Sequence, residues 1–286
     1  DKAEESNLLD AMVLEKEALI YDELGNMEVA FQKYKGLFQF DNGNYSIKAL
    51  EQYCLVQSYR LEGIIEPDLK SNNKDAIANA VSEYLNEIRL LTLAGRNASR
   101  LNIVGNAYKL TAKYLDGIEK IEQLKTAYAY YNEAMEIATD KHSGQYLDAL
   151  SNMLFIGYIL ETLGDEKLLK RIKTNKVFEE VTDLSKYLKD FRQELDDFDK
   201  EDLDISVLIG MTEISYAILL VSENNDAHQD QKILKWYKDI FHQIYSPRYI
   251  KIEISQINFL LDYIDDEDVV ECLNFIKTEL KNFLKH

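Results

Sequence analysis

Proline is nearly missing from this chain: 286 residues hold two, Pro67 and Pro247, beside 11 glycines and a single tryptophan. So few breakers exclude a loop-rich or polyproline architecture. Cysteine is equally scarce. Cys54 and Cys272 lie far apart in apolar helical contexts, which excludes a disulfide framework and predicts buried free thiols in a reducing, cytoplasmic compartment. Asn44-Tyr45-Ser46 and Asn97-Ala98-Ser99 fit the glycosylation sequon, but nothing else points to secretion, and a three-residue pattern arises by chance. No apolar run is long enough to span a bilayer, and the start of the chain has no signal-peptide pattern. Basic charge is in deficit, 33 Lys and Arg against 51 Asp and Glu, for a formal charge of −18. Such a surface repels phosphate backbones and anionic headgroups, so neither nucleic acid nor membrane is an expected partner.

What the chain has in abundance is Glu, Leu, Lys, Ala and Tyr, a helix-forming composition that predicts an all-α fold. The clearest pattern lies in Ala98 to Ala138. Leu101, Val104, Gly105 and Tyr108 share one helical face; Ala127, Tyr131 and Ala134 share the face of a second helix folded back on the first. Small residues at Gly105, Ala127 and Ala134 let the two backbones approach, and the tyrosines fill the space between. Ala18, Tyr21, Ala30 and Tyr34 repeat the arrangement within residues 6 to 40, before a turn at Asp41 to Asn44. A degraded hairpin follows, with one helix from Tyr45 to Gly63, a long connection through Pro67 to Lys74, and a second helix over Asp75 to Leu93. Asn97 or Ser99 is the expected cap of the next helix. Tyr146 to Leu163 reads as a strongly apolar helix. Further helices are expected over 176–195, 203–222, 229–245, 248–264 and 267–284, with turns at Asp196 to Asp204 and Glu223 to Gln229.

The large, large, small, large step in the first helix of Ala98 to Ala138, and the small, aromatic, small step in the second, resemble the tetratricopeptide repeat without its closing proline. The resemblance implies an α-solenoid of antiparallel helix pairs, since one hairpin cannot bury its own apolar face. Repeats are expected over 1–172, with divergent helices over 173–286 that either continue the array or form a helical subdomain. Arg100 to Tyr114 also resembles the corresponding helix of bacterial multidomain proteins whose tetratricopeptide region is related to the TRAF-binding segment of certain animal kinases. That likeness implies a sensing or regulatory arm beside an effector domain. A chain opening on Asp1 instead of Met fits an excised piece.

Motifs for chemistry are absent. The histidines, His142, His228, His242 and His286, stand alone, and there is no HExxH, CxxC, G-x-S-x-G, phosphate loop or dinucleotide fingerprint. The acidic run Asp196, Asp197, Asp199, Glu201, Asp202, Asp204 lacks the glycine and terminal glutamate of a calcium loop, and reads as a helix-initiating turn. No catalytic residue, metal or cofactor is expected. A helical enzyme with a site of scattered residues such as His142, Tyr158 and Glu161 is the contrasting possibility, to be judged by whether an enclosed cavity holds perturbed carboxylates.

In the repeat family the first helix of each pair lines the concave groove, which implies that Ser99, Asn102, Asn106 and Lys109 face inward here. The next helix offers Ser151, Leu154, Tyr158 and Glu161, without the Lys and Arg of the family's carboxylate clamp. The expected peptide-binding groove is therefore a polar, partly basic strip of Arg100, Asn102, Asn106, Lys109 and Tyr158, suited to an acidic or amide-rich peptide. If exposed, Asn106 and Lys109 can both become alanine at a stability cost of only ~0.5 kcal/mol. The expected activity is non-enzymatic binding of a protein or peptide; the alternative is the sensor arm of a larger bacterial signalling or defence protein. The sequence leaves the oligomeric state open.

Overall fold

The computed structural model describes residues 2–39, 45–71, 73–197, 204–222, 229–243 and 247–285. Among them are thirteen α-helices and no strand. The chain folds into α1 (Lys2–Glu23), α2 (Met27–Leu37), α3 (Ile47–Ser71), α4 (Lys74–Leu93), α5 (Ala98–Ala112), α6 (Gly117–Ile137) and α7 (Gly144–Thr162). A short α8 (Leu168–Ile172), a 3-10 turn over Lys176–Phe178, and α9 (Leu184–Asp196) follow; then come α10 (Ile205–Val221), α11 (Gln229–Gln243), α12 (Pro247–Leu261) and α13 (Glu267–Phe283).

Short polar side chains start most of these helices by accepting a hydrogen bond from the free N–H groups of the first turn, each worth ~1 kcal/mol. Asn97 takes this role for α5, accepting from Arg100 N at 2.8 Å, and Ser143 takes it for α7, from Tyr146 N at 3.3 Å. At the other ends, Gly25 and Gly164 turn left-handed at φ +69° and +84°. There the amide of Asp165 reaches back to the Leu160 carbonyl at 2.9 Å, and that of Asn26 to Tyr21 at 2.8 Å, closing α7 and α1.

Two expected boundaries are corrected. The long connection after Gly63 does not form, because α3 runs on through Pro67 to Ser71, four residues past the proline. A proline ring removes one intrahelical hydrogen bond but leaves its own carbonyl and the later residues free to stay helical. Residues 176–195 are not one helix either. Asn175 caps the 3-10 turn through Val177 N at 2.9 Å, and Asp183 starts α9 through Lys186 N at 2.9 Å. Of the expected turns, 41–44, 198–203 and 223–228 lie outside the described residues.

Consecutive helices pack as neighbours from α1 to α7, and α1 with α3, α3 with α5, and α5 with α7 also touch. The first helix of each consecutive pair thus meets the first helix of the next. Gly105 on α5 makes room for the Tyr131 ring of α6: a Cβ placed there would lie 3.0 Å from Cε2 of Tyr131. Apolar side chains gather in three clusters, around Phe31 and Tyr34, around Tyr84 and Ile88, and in a large one running from Leu101 to Leu280. The last includes Leu168 and Ile172 on one side of residue 173, and Phe178 and Leu184 on the other. Within it, α7 and α10 are buried nearly all round. Finally α12 comes back against α1.

Candidate functional site

The return of α12 leaves a cavity of about 450 Å³, lined chiefly by α1, α3, α5, α7, α10 and α12. From α5 it receives Ser99, Asn102, Asn106 and Lys109, whose spacing puts them on one helical face. Helix α7 adds Gln145, Asp148 and Asn152, α10 adds Glu213, and α12 adds Arg248, Glu253, Gln256 and Phe259.

Lys109 lies at the centre of this set, only 7% exposed. Its ammonium donates to Asn152 Oδ1 and to Gln256 Oε1, both at 2.7 Å, and lies 5.5 Å from the ring centroid of Phe259. One lysine thus ties α5 to α7 and α12. Burial lowers its pKa, against the pull of Glu213, Asp148 and Glu253.

Those three carboxylates come from three helices, and neutral donors hold each. Ser151 Oγ donates to Glu213 Oε2 at 2.7 Å, Tyr237 OH donates to Glu253 Oε2, and Asn152 Nδ2 donates to Asp148 Oδ1 at 2.8 Å. Removal from water disfavours their charged forms. Burial pushes Asp148 up to about 6 and Glu253 up to about 7, and Glu213 well above the carboxylate range. Asp148 is surrounded by protein and still keeps accessible surface, because it faces the cavity. Several buried polar atoms of the wall have no hydrogen-bond partner: Glu253 Oε1, Gln256 Nε2 and Asn102 Oδ1.

Arg248, at the start of α12, fastens the wall to the first hairpin. It donates to Glu23 Oε1 at 3.0 Å and to Gln52 Oε1 at 3.1 Å, while Lys251 Nζ donates to the Gly25 carbonyl at 2.9 Å. Asp22 lies within 3.2 Å of the Arg248 guanidinium, yet neither of its oxygens is hydrogen-bonded. Arg248 has directed those N–H groups elsewhere. Desolvation therefore outweighs the Coulomb attraction and raises Asp22 to about 6.

The residues of the expected strip part company here. Asn102, Asn106 and Lys109 line the cavity; Arg100 and Tyr158 do not. Arg100 bridges α5 to α3 through Glu51 at 2.8 Å and bonds the Ala94 and Gly95 carbonyls at 2.6 and 3.1 Å. Tyr158 is half-buried against the large core, with burial raising its hydroxyl pKa. Asn102 donates to the Gln145 carbonyl at 2.9 Å. Lys109 is an interior residue, so the expectation that its truncation is nearly free is corrected: it leaves buried carboxylates uncompensated. On α7 the register also differs. Gln145, Asp148 and Asn152 face the cavity in place of Ser151, Leu154, Tyr158 and Glu161, because the helix starts at Gly144 and its apolar circumference gave the periodicity no phase. Sequence reasoning missed Glu213 and Glu253. The only signal for them was a carboxylate inside an apolar run, as in Ile209 to Leu220.

His142, Tyr158 and Glu161 do not form a site. His142 and Glu161 stand near opposite ends of α7, ~28 Å apart at 1.5 Å per residue. His142 Nε2 is 3.0 Å from Glu194 Oε1, and Glu161 accepts from Leu168 N at 2.7 Å. His228 and His286 lie outside the described residues, as does the side chain of His242. Among the described residues no group of three or more His, Cys, Asp or Glu is arranged to hold a metal ion, and no helix is long and apolar enough to cross a membrane. Neither Cys54 nor Cys272 is in a disulfide; Cys54 is buried, which pushes its pKa up to about 12, whereas Cys272, expected to be buried, is only half-buried. No protein-family model matches the chain, nor does any curated protein or solved structure.

Proposed function

We propose that this chain is a non-enzymatic binding scaffold, a tetratricopeptide-like α-solenoid that takes a segment of a protein or peptide into the space between its inner helices. The observation that carries the reading is the cavity wall itself. Its volume of about 450 Å³ falls within the ~300–1,000 Å³ usual for ligand pockets. Its wall combines oriented polar groups with buried atoms that lack partners, and a ligand supplying those hydrogen bonds regains what burial costs. Raised carboxylates in a cavity are also what a helical enzyme would hold, but His142, Tyr158 and Glu161, the residues named for that site, do not line it.

A second reading, the sensor arm of a larger bacterial signalling or defence protein, rests on the Arg248 clasp. Part of the wall is α12, and α12 is fastened to α1 and α3 through Arg248. A ligand that displaces α12 from the wall would change how the last third of the chain meets the first hairpin. Hydrogen exchange of the purified chain with and without a selected hexapeptide tests both readings. Protection gained at α5, α7 and α12 supports the scaffold; protection lost at the N-terminal turn of α12 supports the sensor; no bound peptide from a complete library rejects both.

A further inference from the structure

Among the charged residues that line the cavity are Lys109 and the carboxylates of Asp148, Glu213 and Glu253, and no hydrogen bond joins the lysine to any of the three. Lys109 gives both of its bonds to amide oxygens. Glu213, Glu253 and Asp148 are each oriented by a neutral hydroxyl or amide, Ser151, Tyr237 and Asn152. Lys109 is the one cation whose field acts on all three. Of the other basic residues in the wall, Arg248 is engaged by Glu23 and Gln52, and Lys48 and Lys113 stand in the first turn of α3 and just past the end of α5. This is an anion-rich interior with its acceptors aimed and its counter-charge incomplete. Beyond the carboxylates, two amide atoms in residues 94% buried lack partners in the same wall, Asn102 Oδ1 and Gln256 Nε2. The fully buried Glu253 keeps Oε1 unpartnered as well.

We propose that the Asp148, Glu213 and Glu253 carboxylates, with Asn102 Oδ1 beside them, form a receptor for an ammonium or guanidinium group, supplied by a lysine or arginine side chain of the bound segment. The identification rests on the binding reading given above. It departs from the acidic or amide-rich ligand expected from the Arg100 to Lys109 strip, because Arg100 is spent on Glu51 and Lys109 on two amides. A cation carries several N–H donors and no acceptor, which suits the unpartnered Asn102 Oδ1 and Glu253 Oε1 beside the carboxylates. Its arrival favours the ionised forms of carboxylates that burial holds partly protonated, so binding near neutral pH releases protons. The titratable groups that face the trio are Lys109 from α5, Tyr216 from α10 and Tyr237 from α11.

The test uses the purified full chain, a fluorescein-labelled positional-scanning hexapeptide library, and methylguanidinium chloride as a small probe. Arg or Lys should be selected at one position at least tenfold over Glu and Gln. Glu213→Gln with Glu253→Gln should abolish that preference while circular dichroism stays unchanged; Asp148→Asn serves if the double variant does not fold. Calorimetry at pH 7 in buffers of different ionisation enthalpy should report proton release. Selection of Glu or of neutral residues overturns the cation site and leaves the scaffold reading standing. Carboxylate-dependent binding of methylguanidinium with no peptide selected keeps the cation site and overturns the peptide reading. Binding of neither overturns both.

Discussion

Helices α7 and α10 meet in two ways within one turn of each other. At Leu147 they are in tight contact: a Cβ on Gly210 would fall 2.5 Å from the Leu147 Cβ, so the crossing works only because that position is glycine. At the next residue, Asp148, the same helices separate around the polar cavity, with Glu213 on the other side. At Gly210 the crossing has no room for a side chain. The cavity has room, raised carboxylates and unpartnered amides. Close packing specifies the fold, whereas the neighbouring wall keeps a polar set that costs stability wherever it lacks a ligand.

The largest expected effect strikes the cavity side of this comparison. Lys109→Met keeps the length of the side chain and removes the charge that acts on three carboxylates. Loss of one partner from a buried charged set costs ~3 kcal/mol, read by urea denaturation at pH 8. At pH 5 the loss should shrink, because Asp148, raised to about 6, and Glu253, raised to about 7, are then protonated. A pH-independent loss would mean that Lys109 acts through packing alone.

Next comes the pH dependence of the intact chain. Asp22 is fully buried, and its pKa is raised from 3.8 to about 6. A carboxyl whose folded pKa lies above its unfolded one contributes stability at low pH and loses it as pH rises through the folded value. For Asp22 the window is roughly pH 4 to 7, and about two pKa units correspond to ~3 kcal/mol. Asp148 and Glu253 act in the same direction, as does the formal charge of −18. The Tm should therefore be higher at pH 5 than at pH 8, and Asp22→Asn should flatten the profile. A Tm that climbs steadily from pH 5 to 8 would contradict the assignment.

On the crossing side, Gly210→Ala sets a helix-propensity gain against overpacking by a Cβ that meets another Cβ, which cannot swing away. The expected net loss is ~2 kcal/mol, with no dependence on pH between 5 and 8. Gly157→Ala is the control. There the nearest atom is the Leu168 Cδ1 at 2.5 Å, the end of a flexible side chain, and the penalty should be smaller.

These two sides also differ in what a sequence can reveal. Gly105, Ala127, Tyr131 and Ala134 announce a helical hairpin because apolar and small residues must recur at helical spacing to pack, and the structure places Gly105 against Tyr131. The mapping of Ser99, Asn102, Asn106 and Lys109 onto one face carries over into the cavity wall. Burial of Lys109 was not legible, since Gln256 and Phe259 of α12, more than a hundred residues away, come to lie against it. Glu253 and Gln256 sit on that helix among Ile250, Ile257 and Leu260, where a polar residue reads equally well as solvent-facing. Polarity tells which face a residue belongs to, not whether another helix covers that face.

The smallest predicted effect separates the two residues that the sequence treats as equivalent. Asn106 and Lys109 stand one turn apart on the same face of α5, and both line the cavity. Lys109 is buried and bonded at both ends of its reach. Asn106 is half-exposed to the cavity. Asn106→Ala removes no bond that holds two helices together, so it should shift stability by no more than ~0.5 kcal/mol while taking one amide from the ligand's surroundings. The two substitutions therefore should not behave as a pair: one costs stability, the other only binding. Equal stability losses would mean that the cavity is closed tightly enough for Asn106 to be structural, and the space between the inner helices would then be too small to admit a ligand without α12 moving first.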